Sequence, residues 1–401
     1  LPFFLFSLDL EPADLEMVRK GWERVLKARL EDARFFWETD SRTSMQEWLE
    51  KLDKVIFLGP LGSMGQKSKR LQDLTGYLAG LLAPEVKEEA CRAALLAKTD
   101  LVSEMVGEFA DLQGIMGGIY ARQKGESELI SKAIFEHYLP TGHESHVPQS
   151  LGGALVSIAD KADNLIGCFG LEMIPTGAND PYALRRQALG IIRIILVHGF
   201  RFSLKELLSR AQREYQQVKW KLSAEQTIGT LFDFFNHRLK AYFSAEGYET
   251  RIVEAALGAG IDDIWSLRER LKSLQRFSLE QDFEQAVLTF KRAANIIRKQ
   301  GDQAGQALDG DYKSDLLQEA QEKELAETIK EISPRWDRLW SEEGFDQLFA
   351  LLRELRPVVD AFFDHVMVMC EDQELRLNRL NLLKSLVDRL SLLADFNALQ
   401  I

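Results

Sequence analysis

The chain has 401 residues, 46% of them hydrophobic and 28% charged, enough to bury substantial cores and to divide into two or three domains. Its net charge of −12 opposes indiscriminate nucleic-acid binding, which needs a basic excess, but leaves room for a local arginine face. Cys91, Cys168 and Cys370 lie far apart with no CxxC spacing, which argues against a disulfide framework or a zinc site and fits a reducing cytoplasm.

In chain order, the opening PFFLFSLDL alternates apolar and polar positions and predicts a strand. It is too short to span a membrane and lacks the basic flank and cleavage site of a secretory signal. No strand partner is evident nearby, so the chain is expected to be the C-terminal part of a longer protein or a piece cut from one. From Ala13 to Thr39, Leu15, Val18, Trp22, Val25, Leu26 and Leu30 fall near helical spacing, with Arg24, Arg29 and Arg34 on a solvated face. VIFLGPLGSMGQKSKR, from Val55, has glycines and cations but no Gly-Lys-Ser/Thr end. It predicts a flexible turn before a helix starting near Lys69 rather than a phosphate loop.

The stretch Ile158 to Ile195 is the most informative. An apolar helix carrying acids leads through a Pro-Thr-Gly turn to a second helix, with Asp180 expected as N-cap and Pro181 as first helical residue. Its free N–H groups beside Thr176 and Gly177 would make an anion cradle. Leu184, Ala188, Ile191, Ile192 and Ile195 form an apolar stripe, and Arg186 and Arg193, seven apart, share a face. Arg185 and Arg186 sit near the positive end of the helix dipole, which calls for a counter-charge: an RNA phosphate, an acidic partner, or Asp160 or Asp163 of the same chain. His143 and His146 lie in a Gly- and Pro-punctuated loop and are expected to be exposed.

Helical patterns continue from Phe202 to about Phe277, where Arg238 and Lys240 are candidate contacts and Phe232, Phe235 and Phe243 are core. In the last third, Phe283, Val287, Phe290, Ala294 and Ile297 alternate as in a bundle helix whose far half carries Lys291, Arg292, Arg298 and Lys299. A polar loop from about Gly301 to Asp315 follows. Leu380, Leu383, Val387 and Leu390 make a closing buried seam from which Arg376 and Arg379 are expected to project together.

The string IADKADNLIGCFGLEMIPTGANDPYALRRQALG closely resembles the signature of the β subunit of the bacterial two-subunit glycyl-tRNA synthetase, an ADK-type helix running into PTG, a DP pair and ALRR. GWERVLKARLEDARFFWETD and FFNHRLKAYF resemble further elements of that family, with Trp22 standing where asparagine is usual. CRAALLAKTDL, AIFEHYLPTGHESHVPQS and IADKADNL resemble an HD-type phosphohydrolase domain. There the adjacent His-Asp pair has become Thr99-Asp100, so Asp100, His137 and Asp160 are expected to be a degenerate site that holds no metal. FFDHVMVM followed by LRLNRLNLL resembles a DALR-type anticodon-binding bundle.

The resemblance implies a mostly α, multidomain chain: an HD-like helical domain over 1–200, a helical connector over 201–277 and an anticodon-binding bundle over 278–401. It also implies tRNA(Gly) and a catalytic α subunit as partners in an α2β2 heterotetramer, cytoplasmic and without a membrane. ATP and Mg2+ would sit on the α subunit, with no cofactor on this chain, which would be inactive alone and carry no catalytic residue. The candidate tRNA contacts are Arg185, Arg186, Arg193, Lys291, Arg292, Arg298, Arg376 and Arg379, with Thr176, Gly177 and Asp180 as a phosphate turn. Two other readings stand beside it, a metal-dependent HD phosphohydrolase and a helical scaffold without RNA affinity.

Overall fold

A computed structural model describes residues 3–142, 144–301 and 308–399. The start of the expected strand at positions 1 and 2, His143, and positions 302–307 of the expected polar loop lie outside the described residues. Among the described residues the chain forms seventeen α-helices and one two-stranded antiparallel hairpin, Ile56–Leu58 with Gly62–Ser63. The mostly α expectation is met. No helix among these residues is long and apolar enough to cross a membrane.

Local sequence explains where the helices begin. Asp14, Ser44, Ser63, Ser103, Ser127, Ser223, Asp263 and Asp372 each accept a backbone N–H of the first turn, and Ser44, Ser63 and Ser223 complete capping boxes with Glu47, Gln66 and Gln226. The Ser63–Gln66 box corrects the turn expected before Lys69. The helix is Met64–Leu82, so Lys67 and Lys69 are helical. The extended opening, by contrast, forms no strand: none of residues 3–13 has a backbone hydrogen-bond partner among the described residues.

The chain divides into two compact units, Leu1–Asp160 with Glu214–Lys219, and Lys161–Arg213 with Trp220–Ile401. In the first, Leu71, Leu74, Leu78, Ala94, Leu96, Ile134 and Leu155 are core. Its long first helix, Leu15–Arg42, is bound to that core through Asp40, whose carboxylate accepts from the backbone N–H of Glu104 and Met105 and from the Tyr120 hydroxyl at 2.9, 3.0 and 2.8 Å.

In the second unit the predicted apolar seams are buried: Leu184, Ala188, Ile191, Ile192 and Ile195; Phe283, Val287 and Phe290; Leu380, Leu383, Val387 and Leu390. Arg270 is buried there and spends its guanidinium on the carbonyls of Ala256, Gly260 and Leu392. Burial pushes its pKa down to about 10, and the three carbonyls tie the helices Thr250–Gly258 and Gln373–Leu393 to its own, Ile264–Phe277.

Candidate nucleic-acid interface

Of the expected degenerate centre, His137 and Asp160 meet in the first unit in a buried ionic cluster, and Asp100 does not join them. Asp160, midway along the helix Leu151–Gly170, receives the Lys67 ammonium on Oδ1 at 2.9 Å and the Lys98 ammonium on Oδ2 at 2.8 Å. The Lys98 ammonium also lies 3.0 Å from His137 Nε2 and 3.8 Å from the centre of the Tyr138 ring. Lys98 thus stands between the imidazole and the carboxylate, where a metal shared by those two ligands would have to sit. Among the described residues no group of three or more His, Cys, Asp or Glu is arranged to hold a metal ion. Burial raises the pKa of Asp160, but the two ammoniums outweigh it and hold the carboxyl well below the usual carboxylate range.

Asp100, two residues after Lys98, faces a different set of groups. Its Oδ2 accepts from the backbone N–H of Gly114 at 2.6 Å and Gly117 at 3.0 Å, and its Oδ1 has no hydrogen-bond partner among the described residues. Gly114 has φ +81°, and a Cβ at Gly117 would lie 2.9 Å from the same oxygen, so both positions need glycine to let the backbone come this close. Burial pushes Asp100 up to about 6 despite those two donors. A carboxyl raised in the folded state binds its proton more tightly there, so its favourable contribution is complete below about pH 4 and is lost as pH rises through about 6. Asp100→Asn keeps an acceptor for both glycines and cannot ionise. It is expected to gain roughly 3 kcal/mol over the parent between pH 4 and 7, read from urea unfolding at each pH; parallel curves for the two proteins would refute the assignment.

The lysines at the centre of this cluster are not found by sequence reasoning. Lys98 ends the apolar AALLAK run and Lys67 falls inside a recognisable capping-box helix, and these are the signals that could have found them.

The turn before the Arg pair also differs from expectation. The helix is Leu184–His198, three residues later than Pro181, because Asp180–Ala183 close a turn and Ala183 takes a left-handed conformation (φ 52°). Asp180 still caps the helix, accepting from Leu184 and Arg185 N–H at 2.8 and 3.0 Å, so its own carboxylate occupies those donors. Thr176 and Asn179 bond each other's backbone, and Thr176 and Gly177 are exposed. Arg186 is exposed, Arg185 and Arg193 half-buried.

The two arginines expected to project together from the closing helix part company. Arg379 is buried against Glu322, itself fully buried, and donates to the Met367 carbonyl at 2.9 Å. Arg376 is half-buried and donates to the Cys370 carbonyl at 3.2 Å. This corrects the expectation of a shared exposed face: the 57-residue separation of Arg379 from Glu322 hides the pairing from local spacing.

Three cations of the Phe283–Gly301 helix, Lys291, Arg292 and Lys299, assemble an open surface that Arg298 does not line. A groove of about 470 Å3 is floored by Leu288, Ile296 and Met369 and edged by Lys291, Arg292 and Lys299. The Lys291 ammonium reaches the Leu399 carbonyl at 3.3 Å, Arg292 lies 4.4 Å over the Phe363 ring, and Arg298 is braced by Asn295 at 2.8 Å. Cations along an apolar floor can hold phosphates while unstacked bases lie on the floor.

Residues 1–258 match a family sequence model described as "Glycyl-tRNA synthetase beta subunit", and residues 287–394 match one described as "DALR anticodon binding domain". The chain is 58% identical over 400 residues to the glycine–tRNA ligase beta subunit of Oleidesulfovibrio alaskensis, covering all of this chain and 58% of that protein. It is 48% identical over 401 residues to that of Lawsonia intracellularis and 40% identical over 400 residues to that of Magnetococcus marinus, with 58% and 57% of those proteins covered. The chain therefore spans about 58% of the length of the curated relatives it matches.

Proposed function

The chain belongs to the glycyl-tRNA synthetase beta-subunit family, and on that premise we propose that it is a tRNA-recognition region of such a subunit, binding tRNA(Gly) for aminoacylation. Glycine activation with ATP and Mg2+ would take place on an α subunit, in an α2β2 enzyme of the cytoplasm, and this chain alone would not acylate. The observation that carries the reading is the cationic groove of the Phe283–Gly301 helix, inside the region matched to an anticodon-binding domain. Lys291, Arg292 and Lys299 would hold phosphates of the anticodon loop, and Ile296 and Met369 would take a splayed base. Exposed Arg186, with Arg185 and Arg193, would meet another part of the tRNA or the α subunit.

The metal-dependent hydrolase reading is weaker on the donor set, since both Asp160 oxygens are taken by lysines and His137 Nε2 faces an ammonium.

Filter binding of tRNA(Gly) and unrelated tRNAs across salt tests the proposal. Affinity should favour tRNA(Gly) and fall with rising salt as phosphate contacts release counterions. Lys291→Ala with Lys299→Ala should weaken an isolated anticodon stem-loop about tenfold or more and flatten the salt slope by roughly one for each phosphate no longer neutralised. Arg185→Ala with Arg186→Ala should leave the stem-loop untouched. Equal affinity for all tRNAs, or a flat salt response, would overturn specific RNA recognition.

A further inference from the structure

Eleven of the twenty-five exposed large apolar side chains among the described residues lie in the first thirty-five positions. The Leu15–Arg42 helix buries only Asp40 among its 28 residues, and every residue from 21 to 30 is exposed. Leu15, Trp22, Val25, Leu26 and Leu30 repeat at helical spacing, as a core-facing stripe does, yet they face solvent. Pairs such as Arg19 with Glu16 and Glu23, and Arg34 with Glu38, support the helix from within. A groove of about 380 Å3 runs along it, floored by Phe4, Leu26 and Leu30 and rimmed by Glu23, Lys27, Glu31 and Arg34. A contiguous apolar patch with a charged rim marks an interaction surface on a soluble protein.

The segment lying beside it repeats the message in its backbone. Phe4 and Phe6 turn inward, Phe6 stacking on Trp22 with ring centres 5.8 Å apart, while Phe3 and Leu5 point out, 81% and 101% exposed. That is the two-residue alternation of a strand, with the backbone groups of residues 3–13 unpaired among the described residues. An extended segment with an unpaired edge calls for another strand, and the apolar stripe calls for a packed layer.

We propose that both are covered by one occupant, the polypeptide that longer family members carry outside the region matched by this chain, about 42% of the length of the Oleidesulfovibrio alaskensis relative (100 − 58). It would add a β-strand alongside residues 3–8 and lay an apolar face on Leu26 and Leu30. The proposal rests on family membership only for the existence of that longer protein, so it stands or falls independently of tRNA binding.

Hydrogen exchange tests it, measured on the 401-residue chain and on a full-length family member at the matching positions. Amides of residues 3–8 should exchange at nearly unstructured rates in the former and at least a hundredfold more slowly in the latter. Leu26→Lys with Leu30→Lys should leave the melting temperature of the 401-residue chain unchanged and lower that of the full-length protein carrying the matching pair. Equal exchange in both proteins, or equal destabilisation by the paired substitution, would overturn the proposal. So would sedimentation of the 401-residue chain as a dimer that the paired substitution dissolves, because the occupant would then be a second copy.

Discussion

Asp160→Asn is expected to lower the unfolding free energy at pH 7 by about 3–5 kcal/mol, the range for a buried ion pair that loses one partner. The Lys67 and Lys98 side chains are each 2% exposed and share this one carboxylate, so removing it leaves two interior ammoniums without their common counter-ion. Lys98→Met should cost less, because Asp160 keeps Lys67. Combining Lys98→Met with Asp160→Asn should cost less than the sum of the two, because each change removes part of the charge imbalance the other creates.

The pH dependence has a fixed sign. Asp160 is held below its unfolded range, so its contribution is present above about pH 4 and is lost as pH falls through its folded pKa. In Asp160→Asn that acid limb should disappear. Urea unfolding between pH 3 and pH 7 reads it. An Asp160→Asn protein within about 1 kcal/mol of the parent would mean that the cluster is solvated and holds nothing together.

How much of this was legible in the sequence depended on the range of the interaction. The seams Leu184 to Ile195 and Leu380 to Leu390 repeat every three or four residues, and the structure buries them as spacing predicts. The same rule, applied to Leu15 through Leu30, gave the helix and left its surroundings open, because periodicity reports that a face is apolar and not what covers it. Asp160 was legible as a site residue through a motif, but its partners arrive from helices whose sequences give no sign of one another, Lys67 from Met64–Leu82 and Lys98 from just beyond Lys87–Leu96. A lysine is read as solvated unless burial is seen, since the desolvation cost makes buried ones rare. Asp180 shows the intermediate case: a capping acid was expected and found, but the turn it closes moved the helix start by three residues.

Arg379→Ala should lose stability before it loses RNA affinity, by about 3–5 kcal/mol, because it strands the fully buried Glu322 carboxylate and frees the Met367 carbonyl. Arg376→Ala removes one bond from a half-buried guanidinium to the Cys370 carbonyl and should cost about 1 kcal/mol or less. Spacing gives these two arginines one role; burial gives them two. Replacing the ion pair together, Arg379→Met with Glu322→Leu, leaves no unpaired buried charge and should recover most of the stability that Arg379→Ala removes. That double variant is the discriminating protein, since it folds without the guanidinium. If Arg379 is structural, the double variant binds the anticodon stem-loop as the parent does, while Lys291→Ala with Lys299→Ala, melting normally, does not. If instead the double variant melts like the parent but loses the stem-loop, the Arg379 guanidinium reaches RNA, and the binding face must be moved from the Phe283–Gly301 helix to the Gln373–Leu393 helix.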